Sequence, residues 1–262
     1  MAFEPEWPKW LEQYDRDGFF VATGVLDARA VERIRGYIED ALADADAGGG
    51  DGARFDPEPV VRHGGGEALA LRDRFRKIGQ LGLHDAGVWN DWHCHPNVLA
   101  IMRRLLGDDV RLMFSSVFLK PARHGAATPW HQDIGLWRDK IDGAASIWCA
   151  LDPATRENGC LQFVPGSYRY GEVEHVLYEG EVHKEIRRDL LAGLEPVHVE
   201  LQPGDAVVWR AAMFHYSPPN PSPLNRVAVA GVYVNQQMVE ALAPPSTLPL
   251  PWVVRAGAVC RR

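Results

Sequence analysis

A chain of 262 residues, 46% hydrophobic and 24% charged, can bury a sizeable core, which excludes a wholly disordered protein. Acidic residues outnumber basic ones by 35 to 28, for a net charge of −7. That balance, without a basic run, excludes the electrostatic footprint of nucleic-acid binding.

In chain order, residues 1–17 hold no apolar core of a signal peptide. Residues 18–26 (GFFVATGVL) read as a short strand. Asp27 can N-cap a helix with Val31, Ile34, Ile38 and Leu42 at helical spacing. Gly48, Gly49 and Gly50 stop that helix, and the Gly-, Asp- and Pro-rich stretch 48–66 reads as a mobile loop. A second helix over Asn97–Leu106 puts Val98, Ile101, Met102, Leu105 and Leu106 on one face, with Gly107 as its C′ residue. From Val110 onward, short runs rich in Val, Phe and Trp alternate with turn signals such as Asp152-Pro153, Asn158-Gly159, Pro165-Gly166 and Pro203-Gly204-Asp205. Many short strands at such spacing predict a β-sandwich or barrel. Residues 171–195 interrupt it as a charged helical insertion, either a lid or a cover, and 241–262 form a C-terminal tail. The expected organisation is one domain over 1–262, with 1–109 a mostly helical support and 110–240 the β core. No stretch approaches the ~18 apolar residues of a membrane span. Cys94, Cys149, Cys160 and Cys260 follow no disulfide or C-x-x-C pattern, so a cytoplasmic protein with reduced thiols is expected.

Chemistry concentrates in Trp130-His131-Gln132-Asp133. Side chains at i and i+2 of a strand share a face, roughly 7 Å apart, so His131 and Asp133 can converge on one ion. His215 supplies a third ligand, and two histidines with one carboxylate make the facial triad of non-haem iron(II) oxygenases. An isolated H-x-D is weak evidence; the C-terminal context strengthens it. Arg226 lies eleven residues after His215, with the proline-rich 218–223 between them. A hairpin there would place His215, Ser217 and Arg226 on neighbouring positions of one face. Arg226 begins the alternating strand Arg226-Val227-Ala228-Val229-Ala230, which points it to the side of the small alanines. A buried guanidinium needs an anion, either a dicarboxylate cosubstrate or a protein carboxylate at the barrel rim.

These segments resemble the phytanoyl-CoA dioxygenase family of iron(II)- and 2-oxoglutarate-dependent oxygenases. The resemblance rests on Lys120-Pro121, Trp130 to Asp133, Trp148, Glu157 to Leu161, Val164 to Ser167, Pro203 to Asp205, His215 and Arg226. Asp17-Gly18 and Arg76-Lys77-Ile78 fit more loosely. It implies a double-stranded β-helix, a cupin-like jelly roll, with N-terminal helices packed on it. It further implies that His131, Asp133 and His215 ligate iron(II), and that Arg226 binds the distal carboxylate of 2-oxoglutarate with Ser217 bonding nearby. Trp148, Ser116, Lys77 and Gln132 are the remaining cosubstrate positions. The implied activity is oxidation of a C–H bond by O2, with succinate and carbon dioxide released. Hydroxylation is the default, with desaturation or ring closure as variants; Asp133 disfavours halogenation. A metal-dependent cupin-like hydrolase or isomerase and a non-catalytic ligand-binding relative are the alternatives.

Trp137, Arg138, Tyr168, Arg169 and Tyr170 follow the metal strand or the Pro-Gly-Ser turn, where barrel-mouth loops fall, and His124 precedes that strand. These six are the substrate-contact candidates. His93 and His95 are read as packing and helix-capping residues. His175, His183 and His198 fall in charged, solvated stretches. The acidic balance, with few basic residues near the mouth, speaks against an acyl-CoA. The Ala-, Arg-, Gly- and Asp-rich composition suits a high-GC bacterium, in which relatives tailor secondary metabolites. The expected substrate is a small molecule, glycosylated or polyhydroxylated, and neither nucleic acid nor membrane is an expected partner.

Overall fold

The computed structural model describes residues 3–49, 52–179, 183–242 and 245–262. Residues 1–2 of the N-terminus, Gly50 of the expected helix stop, Asp51 of the expected loop, 180–182 of the insertion and 243–244 of the tail therefore lie outside the described residues. The strands are β1 (Phe19–Ala22), β2 (Arg54–Pro57), β3 (Phe75–Gly79), β4 (Val110–Lys120), β5 (Thr128–His131), β6 (Ala145–Ala150), β7 (Leu161–Phe163) and β8 (His175–Val176). Then come β9 (Glu185–Ile186), β10 (Val197–Val199), β11 (Ala206–Arg210), β12 (His215–Ser217), β13 (Arg226–Asn235), β14 (Trp252–Arg255) and β15 (Ala258–Val259). The longer helices are α1 (Trp7–Arg16), α2 (Ala28–Asp46) and α3 (Pro96–Leu106).

A major antiparallel sheet runs β1-β11-β6-β13-β4, with β14-β15 at one end of β4 and β3-β2 at the other. A minor sheet runs β10-β7-β12-β5. The two face one another as a jelly roll. Strand alternation divides the major sheet between two cores. Phe19, Val21, Trp148, Ala150, Val207, Trp209, Ala228 and Ala230 face the minor sheet. Their neighbours Phe20, Ala22, Ile147, Cys149, Val208, Val227 and Val229 face the helices. Burial on both faces explains why β6 and β13 read as near-continuous apolar runs.

The helical layer forms as its spacing predicts. The Asp27 carboxylate accepts the Ala30 N–H at 2.7 Å, and α2 buries Ile34, Ile38 and Leu42 against the sheet. Each such side chain contributes roughly 1.5–3 kcal/mol relative to exposure. His95 caps α3 by accepting from the Asn97 N–H.

Several expectations are corrected. Residues 1–109 supply the strand expected at 18–26 as β1, at one edge of the major sheet, and in addition β2 and β3 beside β4, two strands not expected from the sequence. Part of the predicted loop 48–66 is therefore strand, because Phe55 packs against the helical-side core. Among its described residues the insertion 171–195 has no α-helix; it pairs β8 with β9 and adds one short 3-10 turn over Arg188–Leu191. The tail 241–262 carries strand structure, since β14 pairs antiparallel with β4. Finally, β12 and β13 do not form a hairpin. They belong to opposite sheets, and the proline-rich connection crosses the barrel instead of turning back along it. All four cysteines are free thiols, and among the described residues no helix is long and apolar enough to cross a membrane.

His93 ties the helical layer to the sheet. Fully buried, it bonds Tyr233 Oη of β13 at 2.8 Å and Ser115 Oγ of β4 at 2.9 Å. Burial pushes its pKa down to about 3. The unfolded chain therefore takes up a proton that the folded chain refuses as pH falls from about 6.5 towards 3, so folding loses stability across that window. The expected loss traceable to this residue is on the order of 4 kcal/mol. Urea titrations near neutral and acidic pH check it: His93→Gln should flatten the acid side of the stability curve, and an unchanged slope would refute the assignment.

Candidate metal centre

Register brings the ligands together. In the minor sheet His215 of β12 lies directly opposite His131 of β5, with ring centroids 4.0 Å apart. Asp133 is not a strand residue, as i, i+2 alternation would have it. β5 ends at His131 and Asp133 opens a helical turn, which swings its carboxylate in front of both rings. Asp133 Oδ1 lies 3.9 Å from His131 Nε2 and 3.8 Å from His215 Nε2, and one ligand atom from each residue lies within 4.8 Å of the others.

Each ligand is held by its unused atom. His131 Nδ1 is 2.8 Å from the Pro129 carbonyl and His215 Nδ1 is 3.1 Å from the Met213 carbonyl. Both pairs assign the proton to Nδ1 and leave the Nε2 lone pair for a metal. Burial first, then the neighbouring His215, holds His131 well below the ordinary histidine range, so it is neutral. Asp133 Oδ2 accepts from Ser146 Oγ at 2.7 Å and from Trp209 Nε1 at 2.9 Å. Ser146 and Trp209 are cross-strand partners on β6 and β11, so one register positions both donors. The carboxylate is thereby divided, with Oδ2 tied to the major sheet and Oδ1 free beside the histidines.

Arg226 is buried at the other end of the cavity. Its Nη1 donates to the Gly159 carbonyl at 2.7 Å and to Ser217 Oγ at 3.2 Å. Ser217 Oγ in turn donates to the same carbonyl at 2.9 Å. Gly159 adopts φ +85°, and a Cβ there would stand 2.5 Å from the Pro218 carbonyl, so only glycine presents this acceptor. The guanidinium lies 5.1 Å from the Trp148 ring, and its buried Nε has no partner. Burial lowers its pKa to about 10 against the opposing charge of Asp152, and among the described residues no carboxylate lies within 4.0 Å of it. A protein carboxylate, Asp152, therefore acts on the guanidinium only from a distance. An open Nε–H beside a small-residue wall fits a carboxylate ligand, and the His-Asp-His donors fit a divalent transition metal.

A cavity of about 350 Å³ joins these groups. Of the residues expected from the sequence, His131, Asp133, His215, Arg226, Ser217, Trp148, Ser116, Lys77 and Trp137 line it. The others do not. Gln132 turns away: its amide donates to the Gly171 and Ala212 carbonyls and accepts from the Val173 N–H, a structural lock in place of a cosubstrate contact. His124 bonds the Asp73 carbonyl, and exposed Arg138 pairs with Asp139. Tyr168 and Arg169 hold α1 through the carbonyls of Asp15 and Arg16, and Tyr170 stacks on Phe214 near the surface.

Sequence reasoning missed Ser146 and Trp209, whose roles depend on a register no local pattern reveals. It also placed His175 and His183 in solvent. His175 Nε2 instead accepts the Gln132 N–H at 2.9 Å, and His183 lines the cavity. The expected scarcity of cations near the mouth is likewise corrected, because Arg76 and Lys184 line the cavity beside Lys77.

A buried guanidinium without a counter-ion lowers the stability of the ligand-free chain. Arg226→Met should therefore raise the unfolding free energy of the ligand-free protein by about 1–3 kcal/mol while abolishing carboxylate binding. Urea unfolding of both proteins checks the first effect, and a destabilised variant would contradict it.

The family model for phytanoyl-CoA dioxygenase matches residues 14–228. A probable phytanoyl-CoA dioxygenase of Caenorhabditis elegans is 29% identical over 155 residues, covering 55% of this chain and 50% of that protein. An L-proline trans-4-hydroxylase of Streptomyces griseoviridis is 32% identical over 196 residues, covering 71% of this chain and 64% of the relative. The chain thus spans between half and two thirds of the length of these two curated relatives. Among solved structures, EctD from S. alaskensis with 2-oxoglutarate and 5-hydroxyectoine superposes with a TM-score of 0.71 at 21% identity, over 96% of this chain and 84% of that one, a likeness of fold. With its family model matched across residues 14–228, the chain belongs to the phytanoyl-CoA dioxygenase family.

Proposed function

We propose that the chain is an iron(II)- and 2-oxoglutarate-dependent oxygenase acting on an unactivated C–H bond of a small molecule. The observation that carries this reading is the pairing, in one cavity, of three convergent metal donors with a buried arginine whose Nε has no partner and which forms no close ion pair among the described residues. When bound, the iron and 2-oxoglutarate would supply the oxidising chemistry, with O2 consumed and succinate and carbon dioxide released. The residues of the chain do the rest. His131, Asp133 and His215 would hold the metal on one face and leave the opposite positions open. The Trp209 and Ser146 donors keep Asp133 Oδ1 turned towards the metal. Arg226 and Ser217 would receive the distal carboxylate, while Trp148, Leu161 and Ile147 keep water from that end.

Hydroxylation is the outcome we favour, in bacterial secondary metabolism, and the free thiols support a cytoplasmic setting. A relative named for proline 4-hydroxylation supports the reaction class. Ser116 and Thr128 offer hydrogen bonds to a glycosylated or polyhydroxylated substrate, and Phe114, Leu136 and Trp137 offer its carbon skeleton an apolar wall.

Incubation with iron(II), 2-oxoglutarate, oxygen and candidate metabolites tests the reading. Succinate release should require iron and oxygen and fall by at least about 10³-fold in His131→Ala, as expected when a first ligand is lost. Turnover without oxygen would favour a hydrolase or isomerase. Trp209→Phe, which keeps the ring and removes the N–H donor, should weaken Mn(II) affinity about 10- to 100-fold by calorimetry. Unchanged affinity would exclude Trp209 as a positioning residue.

A further inference from the structure

The lone pair that a histidine offers to a metal lies in the plane of its ring, so the tilt of that plane decides whether the pair points at the ion. A hydrogen bond from Nδ1 pins one corner of the ring and leaves the plane free to rock about it. At His215 that bond is the longer of the two, 3.1 Å to the Met213 carbonyl against 2.8 Å from His131 to the Pro129 carbonyl.

A second restraint on the His215 plane comes from Phe163. It is the register partner of His215 on β7, as His131 is on β5, so the three side chains form one row across the minor sheet. The Phe163 ring stacks on the imidazole, 16° from parallel with centroids 5.7 Å apart. Its ring also stacks with that of Phe19 of β1, 15° from parallel at 4.8 Å. Phe19, Phe163 and His215 thus make a column of near-parallel rings running from the major sheet to the site. Trp209 flanks the column, 5.5 Å from Phe163 and 5.2 Å from His215, inclined by 59° and 53°. The same Trp209 is the register partner of Phe19 and the donor to Asp133 Oδ2. One group of aromatic rings therefore bears on two of the three donors.

Phe163 is fully buried and, like Phe19, does not line the cavity, so it acts on the site only through its neighbours. The inter-sheet core asks of this position only apolar volume: Leu161, two residues earlier on the same face of β7, belongs to that core without a ring. What phenylalanine adds is a flat face parallel to the imidazole.

We infer that Phe163 is a positioning residue for the metal centre: backed by Phe19, it fixes the tilt of the His215 ring and so aims the Nε2 lone pair. The assignment rests on the metal reading of the His-Asp-His site. It makes β1, which carries no donor of its own, part of the support of that site.

Calorimetry with Mn(II) and visible absorption of the Co(II)-loaded protein test it, the latter because the ligand-field bands follow the direction of the donors. Phe163→Leu, which keeps apolar volume and removes the flat face, should weaken Mn(II) affinity about tenfold and shift the Co(II) bands. Phe19→Leu, one ring further from His215, should act in the same sense by about two- to threefold. Leu42→Ala in α2 controls for lost stability: it truncates a buried side chain on the helical side of the sheet, and should unfold at lower urea with affinity and bands unchanged. Wild-type affinity and bands in Phe163→Leu, or equal changes in Leu42→Ala, would overturn the assignment. Should Phe163→Leu fail to fold, Phe19→Leu decides the matter by the same two readings. A wild-type protein that takes up neither metal refutes the oxygenase reading itself, which keeps the two failures apart.

Discussion

The site depends on one antiparallel register, His215 against His131 in the minor sheet. A slip of one residue would turn either ring out of the barrel, because successive strand side chains point to opposite faces. Each ring is also bonded through Nδ1 to a carbonyl two residues earlier in its own chain, so strand position and ring orientation are set together. A second register, Trp209 against Ser146 in the major sheet, meets the first at Asp133. The carboxylate is one point where polar bonds join the two sides of the barrel; the Arg226–Ser217 pair is another.

The interior handles its cations in two ways. Lys120 and Arg226 are register partners on β4 and β13, and both are buried. Lys120 directs its ammonium to the Ala126 and Pro218 carbonyls, so its role is to close the end of the barrel. Arg226 is only partly satisfied, by one carbonyl and one hydroxyl. The difference between neighbours separates a structural cation from one reserved for a ligand. Net charge alone conceals this, since the carboxylates that make the chain acidic lie mostly at the surface and the unpaired cations lie within.

The site was legible where its chemistry is local and illegible where it depends on pairing. His131, Asp133, His215 and Arg226 stand in motifs whose residue types and order survive without coordinates. The alternation of Arg226 with Ala228 and Ala230 correctly sent the guanidinium inward. The hairpin drawn between His215 and Arg226 was wrong although its end result, contact of Ser217 with Arg226, was right: the two approach across the barrel, not along a ladder. Tyr168 to Tyr170 were misplaced because a loop after a Pro-Gly-Ser turn has two rims to choose from, and α1 occupies the one they meet. In the insertion, charge density suggested a helix, whereas His175 to Val176 and Glu185 to Ile186 pair as strands. Helix α1 itself went unread because Trp7, Trp10 and Tyr14 sit at helical spacing in a stretch interrupted by Pro8, which the first turn of a helix tolerates.

The Gln132 lock sets the mechanics of the insertion. Gln132, between His131 and Asp133, bonds Gly171 and Val173 through its side chain and His175 through its backbone N–H, so the first five residues of the insertion are fastened to the His131–Asp133 segment itself. Any swing of 171–195 must therefore pivot beyond His175, or else drag the His131–Asp133 turn with it. Opening the barrel mouth and loosening the metal ligands become one thermodynamic event if the pivot lies earlier and two separable ones if it lies later. The lock fastens residues 171–175 to the His131–Asp133 segment, so only the part of the insertion beyond His175 is free of that constraint.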